Sequence, residues 1–344
     1  MNAPFRLYGA ELSPYSVKVR AYLRFKGLDF EWLERTLARQ EEFARYAKLP
    51  LAPILVDAED NAVQDSTPMM EALEAAHPEP SVVPGDAAVA FIAALLEDYA
   101  DEWLNKAMFH YRWSYPDDQE SAARRLTDML FAGGEAPEGA EQAMKARMIG
   151  RLHHVGSSGE TAPVIEASFT RLLGLLEALA AKRAYLLGER PSMADFGLYG
   201  QLKQLLSDPT PGALIRERAP ALTRWIERME NPSTGGAFAS LSEVQGELTP
   251  LLRDEVAITY LPWMAANAEA VASDAVMVSA ELGGAGFAQK PQRYAAKALA
   301  ELRRKYAAAA EAPGLAGLMA ECGCTPFLAA AAESDDDAED EGED

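Results

Sequence analysis

Apolar positions along the first eighty residues fall into short runs of two kinds. Phe5 to Gly9 is a brief apolar run ending in glycine, and Pro14 to Lys26 carries Tyr15, Val19, Tyr22 and Leu23 at helical spacing before Gly27. This reads as a strand and then a helix, with Pro14 in the first helical position and Gly27 as the stop. Phe30, Trp32 and Leu33 predict a second strand, residues 39–47 a helix, and residues 54–57 with 62–64 a hairpin around the polar turn Glu59-Asp60-Asn61. Residues 66–76 are helical again. The stretch His77-Pro78-Glu79-Pro80-Ser81 then breaks the pattern as a linker.

After Asp86 almost everything has helical period. One long helix is predicted over 87–113, others over 165–182 and 192–206, and Ala-rich helices over 261–272 and 291–310, with loops at 133–139 and 156–159. There is no internal repeat. The predicted fold is an α+β domain over 1–80, an all-α domain over 86–249, a helical extension over 250–332 and an acidic tail over 333–344.

Charge changes this picture in one place. Of the formal −21, the last twelve residues supply nine acidic side chains and no basic one, leaving −12 for the rest. Such a tail reads as a solubilising disordered end, and the acidic remainder argues against a nucleic-acid or anionic membrane partner. No signal-like start or membrane-length apolar stretch is present, so a cytoplasmic protein is expected. With only Cys322 and Cys324, no disulfide framework holds the chain together, and a reducing compartment fits. Two thiols do not complete a zinc site, and His77, His110, His153 and His154 lack matching spacing, so no metal is expected.

Three short pieces carry candidate chemistry. Ser13-Pro14-Tyr15-Ser16 lies between the first strand and the first helix, where unpaired amides and the helix dipole stabilise an anion such as a thiolate. The chain offers only hydroxyls there, so a thiolate would have to come from a ligand. Ala52-Pro53-Ile54 puts a proline at a strand entrance, where a cis bond would turn the Ala52 peptide outward to pair with an extended ligand. Asp65-Ser66 opens the third helix, so its amides suit a carboxylate and Asp65 suits an ammonium.

In their order and spacing these pieces resemble the glutathione transferase superfamily. Leu7-Tyr8-Gly9 with Ser13-Pro14-Tyr15-Ser16-Val17-Lys18-Val19-Arg20 is similar to the serine-type classes, tau above all. Tyr185-Leu186-Leu187-Gly188 followed by Pro191-Ser192-Met193-Ala194-Asp195 resembles the family's structural capping box, with Ser192 and Asp195 as its ends. The resemblance covers about residues 5 to 230. It implies a thioredoxin-like N-terminal domain, a helical C-terminal domain, reduced glutathione as co-substrate and a homodimer.

Carried over residue by residue, it implies Ser13 as the hydroxyl that stabilises the glutathione thiolate, with Ser16 and Tyr8 as alternatives. Ala52, Pro53, Asp65 and Ser66 would hold the tripeptide. Phe109, His110, Tyr111 and Trp113, with Tyr115, form an aromatic cluster suited to a hydrophobic electrophile. Asp98 and Asp101 stand where relatives lend an acidic side chain to a neighbouring subunit's site. Two departures stand out: Pro50-Leu51 replaces the family's Gly-Lys pair, and the chain continues well past the usual helical domain. The implied activity is conjugation of glutathione to small hydrophobic electrophiles; a non-catalytic interaction protein is the alternative. A glutathione-dependent reductase fits less well, since Ser13 stands where a redox cysteine is needed.

Overall fold

The early alternation folds as a four-stranded mixed sheet in a computed structural model that describes residues 4–329. Strand β1 (Phe5–Gly9) pairs in parallel with β2 (Phe30–Glu34) and antiparallel with β3 (Ile54–Val56), and β3 pairs antiparallel with β4 (Ala62–Gln64). Alternation of side chains sorts the residues of β1 and β3 to opposite faces. Leu7 and its partner Leu55 join the main core with Val19 and Tyr22 of α1 (Pro14–Lys26). Tyr8, Leu33, Ile54 and Val56 face the other way, against Phe43 of α2 (Gln40–Ala44). The helix expected over 39–47 is shortened at both ends: Arg39 belongs to a 3-10 turn at Leu37–Arg39, and the helix stops at Ala44. Helix α3 (Ser66–Ala76) adds Met69 and Met70 to the main core and completes a thioredoxin-like domain.

The helical domain follows. The run expected as one helix over 87–113 is α4 (Ala87–Tyr99) and α5 (Asn105–Ser114), joined by a π-helical turn at Ala100–Leu104. A wide turn of this kind shifts the register of everything after it and often marks a functional site. Then come α6 (Pro116–Leu130), α7 (Ala140–Ile149), α8 (Ala162–Ala180), α9 (Met193–Ser207), α10 (Pro209–Arg218) and α11 (Pro220–Arg228). Proline opens α6, α10 and α11, where its lost N–H is an orphan in any case.

Helix α9 is the central element. Its start is tied by Asp195, which accepts from the Ser192 N–H at 2.9 Å and from the Leu186 N–H at 2.9 Å. Burial pushes the Asp195 carboxyl up to about 6, against these stabilising donors. Its two glycines face neighbouring helices: a Cβ on Gly197 would stand 3.1 Å from Glu97 of α4, and one on Gly200 only 2.6 Å from the Pro14 carbonyl oxygen of α1.

The last part of the chain folds back over the helical domain. Helix α12 (Leu241–Leu251) runs through a second π-helical stretch, Leu252–Tyr260, into α13 (Leu261–Ala272), so Pro250 lies inside a continuous helical run. The extension is helical as expected but also contains a hairpin, β5 (Val278–Leu282) and β6 (Ala285–Gln289). Its turn residues Gly283 and Gly284 have φ of 58° and 85°, which the tight hairpin turn requires. Helices α14 (Arg293–Ala308), α15 (Leu315–Glu321) and α16 (Thr325–Leu328) complete it. Tyr306 of α14 packs on Phe91 of α4, ring centroids 5.1 Å apart. The acidic tail lies outside the described residues. Among those residues no helix is long and apolar enough to cross a membrane.

Gly200→Ala should destabilise the protein by about 1–3 kcal/mol, because overpacking against Pro14 outweighs the better helix propensity of alanine. Gly174→Ala in α8, where a Cβ meets nothing within 4 Å, should instead stabilise by up to about 1 kcal/mol. Denaturant unfolding of the two variants checks the contrast, and similar effects in both would show that α9 does not press on α1.

Candidate active site

The sheet register brings the three sequence pieces to one end. Tyr8, Ile54 and Gln64 lie side by side across β1, β3 and β4, so the residues after β1, before β3 and after β4 share one edge. That edge therefore holds Ser13, Ala52-Pro53 and Asp65-Ser66, with the N-termini of α1 and α3. The Ala52–Pro53 bond is cis. The rim is stapled by Gln64, whose amide accepts from the Lys48 and Leu49 N–H groups at 3.0 Å and donates to the Leu49 and Leu51 carbonyls at 2.7 Å. Leu51, which stands in place of the family's lysine, and Leu49 are exposed there.

The three candidate hydroxyls are differently engaged. Ser13 is half-buried at the cap of α1, and its Oγ accepts from the Ser16 N–H at 3.2 Å, leaving its own hydrogen free to donate. Ser16 is fully buried, and its Oγ has no partner among the described residues. Tyr8 points to the α2 face of the sheet, where it donates to Glu42 Oε1 at 2.6 Å; burial and that carboxylate hold its phenol well above the usual range.

Asp65 has φ of 88°, a backbone conformation that costs a non-glycine residue about 1–3 kcal/mol. Its Oδ2 accepts from the Tyr294 hydroxyl of α14 at 2.7 Å. Ser66 is buried and receives a long 3.4 Å contact from Lys18 Nζ, which also donates to Thr67 Oγ1 at 3.2 Å. Lys18 is fully buried and forms ion pairs with Glu97 and, at 2.6 Å, Asp101. Burial opposes its charge, but the two carboxylates outweigh it and raise the ammonium above its ordinary value. Burial pushes the Asp101 carboxyl up to about 7 against the pull of Lys18. Tyr15 fastens the same helix start to the π-helical turn, donating to the Asp101 carbonyl at 3.1 Å and accepting from Asn105 Nδ2 at 3.2 Å.

Asp98 and Asp101 both make hydrogen bonds within the chain. Asp98 accepts from the Tyr260 hydroxyl of the extension, and burial pushes its carboxyl up to about 7. The aromatic cluster is also largely interior. His110 is buried, with Nδ1 2.8 Å from Ser157 Oγ and Nε2 3.0 Å from Glu166 Oε1. Tyr111 stacks on Tyr115 at 5.4 Å, and Trp113 is buried with Ala122 and Ala123 of α6. Phe109 is the one member of the predicted four that stays half-buried. Among the described residues no group of three or more side chains is placed to hold a metal. The Cys322 and Cys324 thiols are buried, which raises them to about 11 and about 12.

Two family models match the chain: glutathione S-transferase N-terminal domain over residues 7–81 and C-terminal domain over 137–228. The chain belongs to the glutathione transferase superfamily. Neither model reaches the extension. A curated relative, the isoprene-epoxide glutathione S-transferase of Rhodococcus sp. (strain AD45), is 24% identical over 238 residues, 64% of this chain and 92% of the relative. A zeta class glutathione S-transferase of Euphorbia esula is 36% identical over 90 residues, which span 25% of this chain and 40% of that one. Among solved structures, the beta-etherase LigF of Sphingobium sp. strain SYK-6 aligns with a TM-score of 0.48 at 20% identity, covering 67% of this chain and 97% of LigF.

Sequence reasoning singled out the edge of the sheet but missed Lys18 as a linchpin, and Tyr294 and Lys106 altogether. Lys106 follows the π-helical turn and is buried in a box of rings, its Nζ 3.8 Å from the Trp263 centroid and 2.8 Å from Gln289 Oε1. Burial depresses it to about 7, with Glu102 opposing. A base whose folded pKa lies below its unfolded value near 10.4 gives stability that is complete at high pH and lost as pH falls toward the folded value. Lys106 should therefore contribute about 1–2 kcal/mol from pH 7 to 8.5, partly offset by Asp98 and Asp101, whose raised carboxyls release protons in the same window. Lys106→Met should remove that contribution from the slope in thermal melts; an unchanged slope would place the titration elsewhere.

Proposed function

We propose that the chain conjugates reduced glutathione to a small hydrophobic electrophile, with Ser13 as the hydroxyl that stabilises the thiolate. The observation that carries this reading is the hydrogen-bond state of Ser13. Because its Oγ already accepts from a backbone amide, its hydrogen is directed to whatever anion lies at the start of α1. Ser16 has an unpartnered hydroxyl but is fully buried, and Tyr8 is committed to Glu42 on the far face.

Ala52 and Pro53 at the entrance of β3 face the middle of such a tripeptide, and Asp65 with Ser66 takes its γ-glutamyl end, ammonium to carboxylate and carboxylate to the first amides of α3. In the reaction the thiol proton leaves to solvent, the Ser13 hydroxyl donates to the sulfur anion, and the sulfur lone pair attacks the electrophilic carbon as its leaving group departs or its epoxide opens. Lowering a thiol pKa by two units corresponds to about 2.7 kcal/mol, within the range of one charge-assisted hydrogen bond and a helix N-terminus. Phe109, half-buried, supplies apolar surface on the electrophile's side. The covered positions of Asp98 and Asp101 speak for a site built within one chain, even where the superfamily resemblance implies a homodimer.

Ser13→Ala should retain glutathione binding while kcat/KM toward a model electrophile such as 1-chloro-2,4-dinitrobenzene falls about 10- to 100-fold, with about 1 kcal/mol of stability lost from the missing cap. Ser16→Ala should leave turnover within about twofold. Steady-state kinetics beside calorimetric titration separates the two, and undiminished turnover in Ser13→Ala would remove Ser13 from the mechanism.

A further inference from the structure

The extension reaches the glutathione edge through a single side chain. Tyr294 is the second residue of α14, more than half exposed, yet its hydroxyl donates to Asp65 Oδ2 at 2.7 Å across 229 residues of sequence. Its place is secured from three sides. Asn267 of α13, fully buried, clamps the residue two positions earlier: its amide donates to the Gln292 carbonyl and accepts from the Gln292 N–H, both at 2.8 Å. Farther along α14, Lys305 pairs with Glu71 of α3 at 2.7 Å. Tyr306 packs on Phe91 of α4. A helix held at its start by α13 and near its end by α3 and α4 keeps the phenol at one spot.

That spot is acidic. The carboxylates nearest the phenol are Asp65, Glu102 and Asp101; burial and Asp65 keep the phenol protonated, a donor only, throughout the physiological range. Tyr294 occupies one oxygen of Asp65, and among the described residues Asp65 Oδ1 accepts no hydrogen bond. A carboxylate held by one fixed donor, with its second oxygen open, is preorganised for a cation.

On the glutathione reading, from which this follows, we propose that Tyr294 is a positioning residue for the γ-glutamyl ammonium. The extension thereby completes the tripeptide site within one chain. The phenol sets the rotamer of Asp65 so that Oδ1 meets the ammonium, and it shields the pair from water with its ring.

The test is Tyr294→Phe in the full chain, titrated calorimetrically with glutathione and with glutaryl-cysteinylglycine, which lacks only the α-amino group. The variant removes one exposed hydroxyl, and a melting curve verifies that it is folded. Expected is about a tenfold loss of glutathione affinity with less than a twofold change for the deaminated analogue. Equal loss on both ligands, no change, or tighter glutathione binding would each overturn the assignment while leaving the transferase reading intact. A wild-type protein that binds neither ligand would overturn both.

Discussion

A single buried ammonium holds the site together. Lys18 extends from the middle of α1 into a space bounded by α3 and α4, where it meets Glu97, Asp101, Thr67 and Ser66. Burying an unpaired charge costs several kcal/mol, so the position is tolerable only with the carboxylates in place. The geometry is therefore mutual: Glu97 and Asp101 come from the helical domain, Ser66 and Thr67 from the N-terminus of α3, and each constrains where α1 starts. Gly200 lets α9 press on Pro14 from the other side. Ser13 at the cap and Asp65 before α3 then face a common cleft because their helices are pinned to one charge.

The π-helical turn at Ala100–Leu104 makes this possible. A regular helix over 87–113 would carry its acidic residues around a fixed spiral, whereas the wide turn brings Asp101 toward Lys18 and presents its carbonyl to Tyr15. The extension exploits the same region. Tyr260 caps Asp98, Tyr99 donates to Glu255 at 3.1 Å, and Lys106 enters the ring box lined by Trp263 and Phe287. Asp98, Tyr99 and Lys106 thus each meet a partner from residues 255–289.

These arrangements divide the site into parts legible and illegible in sequence. Ser13 was legible because capping is local: a hydroxyl before a helix with Pro14 behind it has one physical meaning within four residues. Ser66 does not cap α3; Asp65 holds that position without a side-chain bond, and the Ser66 hydroxyl accepts from Lys18 instead. The Asp195 tie to Ser192 was legible for the same reason. The Lys18 cluster was not, because its partners lie 79 and 83 residues away and a lysine within an amphipathic helix ordinarily faces water. Tyr8 was an alternative by proximity to the strand end, but the two-residue period of β1 sends it to the face opposite Leu7. The hairpin carried a usable signal, Gly283-Gly284 between alternating runs, hidden by the alanine-rich helices around it.

Treating the extension as a detachable appendage fails on energetic grounds. Asp98 is half-buried with its carboxyl desolvated and raised to about 7, so it is already on the edge of protonation at neutral pH even with the Tyr260 hydroxyl on it. Glu255, itself buried and bound by Arg171 at 2.6 Å, in turn accepts from Tyr99 on α4. Stripping the extension away would leave aromatic and carboxylate groups of α4 to face solvent or one another, and the apolar faces of α13 and α14 with them. The α4 face is thus built to be covered, and in this chain its cover is continuous with the helix that delivers Tyr294 to Asp65. Sealing a surface and completing a ligand site are here one packing decision.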